Sequence, residues 1–193
     1  LDVLVAYLRA GGRRVIAPVI RDGIVDYAEI EGAAQLPFGW HEEQSPGRYH
    51  AEPGGDRTFG FTVGASGWKR FTFPPSVPVG RAQGRGATTT YEPLDPAVEP
   101  MAFLGVRACE LAALRVQDRV LLEGPVIDPD YAARRQATLV IAVECTVAAA
   151  TCFSEYGPTK VRIGWRSSGG VASVDISRMP VTAISSVRGM GVA

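Results

Sequence analysis

An α+β fold is predicted by three features met in order along the chain. They are a helical stripe at the N-terminus, a pair of β-type runs joined by Asp-Gly, and a strand, helix, helix, strand succession from Met101 onward. The stripe is Leu1, Leu4, Val5 and Leu8, with Arg9 in its last turn and Gly11 and Gly12 to end it. "RRVIAPVI" and "IVDYAEI" follow as strands, and Asp22-Gly23 between them is a strong short-range hairpin signal. The rest of residues 1–80 is rich in Gly, Pro and aromatics. "RYHAE", "FGFTV" and "KRFTF" are its β-like pieces, which makes 1–80 a mixed, β-rich region.

Residues 81–100 pack Gly, Thr and Pro without periodicity and are read as a Pro/Gly linker crossing the surface. From Met101 the character changes. "MAFLGV" is a continuous apolar run, "CELAALRVQDRVLL" and "DPDYAARRQA" are helical in spacing, and "TLVIAVEC" is a second apolar run. That succession predicts a βαβ unit with parallel strands over 101–153. Residues 154–193 hold scattered Ser, Gly and Arg with no sustained period, and are expected to be a divergent, poorly ordered tail.

Composition narrows the function classes. The 193 residues carry 46% hydrophobic content, enough for a real core, and Lys plus Arg balances Asp plus Glu at 20 each. No net field holds such a chain on nucleic acid or on an anionic membrane. No apolar run approaches the length that crosses a bilayer, and "LDVLVAYLRA" does not have the layout of a signal peptide, so a cytoplasmic protein without membrane insertion is expected. Its start at Leu1 rather than Met leads us to expect a fragment. Three cysteines, an odd number, point to a reducing compartment and to free or metal-bound thiols.

The cysteines carry what chemistry there is. In an open α/β sheet, sites form beyond the carboxyl ends of the strands, and each apolar run here delivers a cysteine at or just past its end, Cys109 and Cys145. Cys152 follows Cys145 by seven residues and can return to the same edge through a loop. Cys109 stands where a helix begins, which favours its thiolate. Grouped thiolates suit an iron-sulfur cluster or zinc, whereas single cysteines in apolar runs serve as small buried hydrophobes, and both readings stay open on spacing alone.

The other polar candidates carry less. Arg107, Arg134 and Arg135 fit a structural role, solvated or paired with Asp118, Asp128 or Asp130. Trp68 fits a core position better than a docking surface. His41 and His50 sit in polar, loop-like sequence with no ligand at metal spacing. The "GRG" at Gly84–Gly86 lacks the Lys-Ser or Lys-Thr of a phosphate loop, and there is no nucleophile elbow or zinc-protease motif, so no catalytic residue is named.

"FLGVRACELAAL", "DRVLLEGPVIDPDYAARRQATLVIAVECT" and "TCF", preceded by "APVIRDGIVDYAEI", "SPGRYH" and "GWKRFTFPP", together resemble one family. It is the N-terminal domain of iron-sulfur electron-transfer subunits, those of sulfhydrogenases (the beta subunit) and of anaerobic sulfite reductases. The resemblance spans residues 1 to about 153 and implies a 4Fe-4S cluster, electron transfer without bond chemistry, and partners that are other subunits of a redox complex. The family's Arg-Pro-Cys-Asp is here Arg107, Ala108, Cys109 and Glu110, and its Cys-Phe-Cys is Cys152, Phe153 and Ser154. The implied ligands are Cys109, Cys145 and Cys152, with Ser154 in the fourth place. The family's ferredoxin-like extension has no counterpart, which implies a truncated member. The alternative is a cofactor-free interaction or scaffold domain that docks on a redox partner.

Overall fold

The computed structural model describes residues 1–62, 67–95 and 98–143. Helix α1, Asp2–Ala10, buries Val5 and Leu8 of the N-terminal stripe. Strands β1, Arg14–Arg21, and β2, Ile24–Glu29, pair antiparallel across Asp22 and Gly23. Their φ values of 51° and 72° are what a two-residue hairpin turn of matching twist needs. Strands β3, Trp40–Ser45, and β4, Arg48–Pro53, form a second hairpin, and α2 is the single turn Lys69–Thr72. Strands β5, Gly80–Gln83, and β6, Thr90–Pro93, form a third, largely exposed hairpin. Then come β7, Met101–Val106, α3, Ala108–Leu121, α4, Pro129–Ala137, and β8, Thr138–Ala142.

The main sheet has the order β2-β1-β7-β8, with β1 and β7 parallel and β7 and β8 parallel. The expected βαβ unit is therefore present, and β7 lies between β1 and β8 with all six residues buried. On one face Val5 and Leu8 of α1 meet Val15, Ala17, Leu104 and Ile141. On the other, Tyr27, Trp68 and Phe103 pack together, joined by Leu111 of α3. A strand buried on both faces reads as an unbroken apolar run, which is why "MAFLGV" shows no alternation.

Pro18 shapes the carboxyl edge of this sheet. The β1–β7 ladder covers Arg14–Ile16 against Met101–Phe103 and stops before Pro18, which has no N–H to give. Past that point β7 bulges between Leu104 and Val106, with Gly105 at φ 97°. The bulge turns Val106 to the same face as Phe103, where both join the aromatic cluster.

Several expectations are corrected. "KRFTF" forms the turn of α2 instead of a strand, because the three-residue step from Trp68 to Phe71 sets both rings against Phe103. Phe59–Thr62 of "FGFTV" forms no strand either, since side chains satisfy its backbone: Arg107 donates to the Phe59 and Phe61 carbonyls, and the Thr62 N–H donates to Glu42. The stretch read as an aperiodic linker contains the β5–β6 hairpin. His41 and His50 stand on β3 and β4 rather than in loops, and His41 Nε2 lies 3.3 Å from Glu52. The expected poorly ordered tail, 154–193, lies outside the described residues. Among the described residues no helix is long and apolar enough to cross a membrane.

Candidate functional site at the carboxyl end of β7

The chain leaves β7 through Gly105 and Val106 and enters α3 at Arg107, which is 2% exposed. Arg107 is more than a solvated or acid-paired helix arginine. Its guanidinium donates to the carbonyls of Phe59, at 3.1 Å, and Phe61, and lies 5.4 Å from the centre of the Phe61 ring. A planar fork with several donors suits two adjacent carbonyls, and it pins an otherwise irregular segment over the sheet edge.

Glu110 closes the first turn of α3. One carboxylate oxygen accepts the Arg107 backbone N–H at 2.8 Å, the reach-back of a helix-capping acid. The other accepts the Tyr27 hydroxyl at 2.5 Å. Burial pushes the Glu110 carboxyl above its usual range, and the hydrogen bonds from Tyr27 and from the Arg107 backbone oppose that rise. Burial, and then the Glu110 charge, also push the Tyr27 hydroxyl far up, so it acts as a donor at any ordinary pH. Trp68 packs tilted against Tyr27, ring centres 3.8 Å apart, and stacks on Phe103 at 4.6 Å. Trp68 is core, 2% exposed.

Cys109 sits between these two anchors and is exposed, contrary to the reading of a buried packing thiol. Arg107 and Glu110 hold the backbone on either side of it, so its position at the helix N-terminus is well defined. The β8 side of the same edge is tied in by the Val143 N–H, which donates to Val106 O at 2.8 Å. Cys145, Cys152 and Ser154 lie outside the described residues. Among the described residues no group of three or more His, Cys, Asp or Glu side chains is placed to share a metal ion.

No protein-family model, curated protein or solved structure matches this chain.

Arg134 and Arg135 take the structural role expected of them. Arg135 Nε lies 3.0 Å from Asp118, which also accepts the Tyr131 hydroxyl at 2.6 Å, so one carboxylate binds α4 to α3. Arg134 pairs with Asp130 at 3.5 Å. A groove of about 450 Å³, lined by Val19, Arg21, Glu29, Leu36 and Trp40 among others, does not include Cys109.

Sequence reasoning missed the Tyr27–Glu110–Trp68 cluster. Glu110 did carry a local signal, an acid three residues after a strand-to-helix junction, the spacing of a capping acid. Tyr27 carried none, because its partner is 83 residues away.

Proposed function

We propose that this chain is the cysteine-bearing domain of an iron-sulfur electron-transfer subunit of a hydrogenase or sulfite-reductase-like redox complex. The observation that supports it best is Cys109, exposed at the first turn of α3 and directly beyond the carboxyl end of a parallel strand pair. A helix N-terminus favours the thiolate that a cluster requires. Cys109 would be one ligand, with Cys145, Cys152 and Ser154 supplying the others. A bound 4Fe-4S cluster would supply one-electron transfer. This chain's own part is to hold Cys109 in place through Arg107 and Glu110, and no bond-making step is assigned to it. A cytoplasmic setting fits an odd number of cysteines kept reduced.

Anaerobic purification followed by iron, sulfide and zinc analysis tests this reading. Iron and sulfide in near-equal amounts are expected after reconstitution, increased by Ser154→Cys and reduced several-fold by Cys109→Ala. Iron incorporation indifferent to Cys109 removes the ligand assignment. Zinc in place of iron and sulfide replaces the electron-transfer reading with a structural metal site. A cofactor-free interaction domain is the second reading. It is favoured by the apolar residues Val116 and Val120, exposed at 60% and 63% on α3.

A further inference from the structure

The β3–β4 hairpin has two unlike faces. Trp40, Tyr49 and Ala51 turn inward and pack with Val25 and Phe61. On the other face the register sets His41 opposite Glu52 and Glu43 opposite His50. Side chains alternate along a strand, so these four form one block of two adjacent rows. Their Cβ atoms stand about 4.5–5.5 Å apart across the strands and about 7 Å apart along them. Side chains as long as His and Glu reach a common point from all four positions.

One half of a metal site is already formed. His41 Nε2 lies 3.3 Å from Glu52 Oε1, longer than the roughly 2.7–2.9 Å of a charge-assisted hydrogen bond. Two donors on one tetrahedral zinc, each at about 2.0–2.1 Å from it, stand about 3.3–3.4 Å apart. The pair therefore has the spacing of two ligands of a shared ion. The His41 ring is seated against Gly54, where a Cβ would come within 3.1 Å of its Cε1, and its Nδ1 is buried. Nε2 is the ring nitrogen that an ion can reach. As they stand, no three side chains of the block converge. The third and fourth ligands are His50 and Glu43, both exposed, which close the set by rotation about their side-chain bonds. The two carboxylates balance the charge of a divalent ion.

We propose that His41, Glu52, His50 and Glu43 bind a divalent ion of the zinc class on the outer face of the β3–β4 hairpin, as a structural clamp. Imidazole nitrogen and carboxylate oxygen are zinc ligands, whereas iron-sulfur clusters are held by thiolates. A two-stranded hairpin is marginal in water by itself, and this one positions a neighbour. From its inner face Glu42 accepts from Thr62, at the end of the segment whose Phe59 and Phe61 carbonyls Arg107 binds. An ion bridging both strands fixes their register and, through Glu42, that segment. No cysteine takes part, so the site stands whether or not a cluster is bound.

The chain has only two histidines, so its two imidazoles report the binding directly. The metal-stripped full chain is titrated with zinc chloride, and the ring nitrogens are followed by long-range proton–nitrogen NMR. Both rings are expected to shift together and to saturate at the same zinc concentration, with His41 Nε2 moving to a metal-bound position. Glu52→Gln should weaken this binding about tenfold or more for both rings at once, and His50→Gln should weaken it at the His41 ring. Cys109→Ala should change neither ring. Glu52 and His50 are both accessible to solvent, and an unchanged circular dichroism spectrum shows that each variant is folded. The proposal is overturned by imidazoles that do not respond to zinc, by rings that titrate at different zinc concentrations, or by a Glu52→Gln chain that binds like the wild type. A response lost in Cys109→Ala also overturns it, because the histidines would then belong to a thiol site. Iron and sulfide content, measured separately, reports on the cluster reading and is independent of these outcomes.

Discussion

Burial works against an ionised Glu110, and the Tyr27 hydroxyl and the Arg107 backbone N–H are among the donors that hold it in place. The folded chain therefore binds the Glu110 proton more tightly than the unfolded chain does. The stability that this proton contributes is fully present below the unfolded carboxyl value of about 4.3, and it is lost as the pH rises through the higher folded value. Urea unfolding at a series of pH values should show the wild type losing stability relative to Glu110→Gln across that window, with the difference constant above and below it. A difference that does not vary with pH would mean that burial does not raise the carboxyl. Tyr27→Phe removes the foremost of the opposing donors. It should move the window to higher pH and cost about 1–3 kcal/mol at neutral pH, the penalty for a buried acceptor that loses its partner. The capping half of this arrangement was legible in the sequence, because Arg107 and Glu110 are three residues apart. The Tyr27 half was not, because it depends on how β2 faces α3.

At the scale of single elements, β7 is where the sequence was both most and least readable. Its apolar run announced a buried strand, and its parallel pairing with β8 agrees with the strand, helix, helix, strand order. The bulge at Gly105 was not foreseen, although Pro18 and Gly105 are both visible as residues. What joins them is a register between distant strands. A methyl group on Gly105 would lie 2.9 Å from Phe59 Cε1 and 3.2 Å from Pro18, at a φ of 97° that side-chain-bearing residues rarely adopt. Gly105→Ala should therefore cost about 2 kcal/mol or more, combining backbone strain with the clash, as measured by denaturant unfolding. It should also loosen the entry to α3, so that iron incorporation falls together with stability. The short helix α2 offers the converse lesson. "KRFTF" has β-type composition, yet one helical turn lets Trp68 and Phe71 reach the same ring. Packing overrode a propensity that is weak over five residues.

For the whole molecule, the central fact is that β1 pairs with both β2 and β7, so strands from the first 30 residues and from the stretch after Met101 share one sheet. Neither half buries its apolar faces alone: β7 needs Val15 and Ile16 beside it, and α1 needs Leu104 and Ile141 beneath it. The segment 101–143 expressed by itself should give no cooperative unfolding transition by circular dichroism, whereas the full chain should give one. A folded, cooperatively melting 101–143 segment would show that the βαβ unit is independent of β1.

The sequence by itself determined the elements whose cause is local. Apolar spacing placed α1, the Asp22-Gly23 turn set the first hairpin, and the succession of patterns after Met101 called for parallel strands, because helical stripes, left-handed turns and crossover connections each obey rules that act over a few residues. Only the tertiary structure decided which side chains meet. That Cys109 is exposed, that Arg107 is buried against the Phe59 and Phe61 carbonyls, and that Tyr27 donates to Glu110 are consequences of strand order and of the bulge beside Pro18. These contacts link residues tens of positions apart, and their energies depend on desolvation, which a residue acquires from its neighbours in space rather than in sequence.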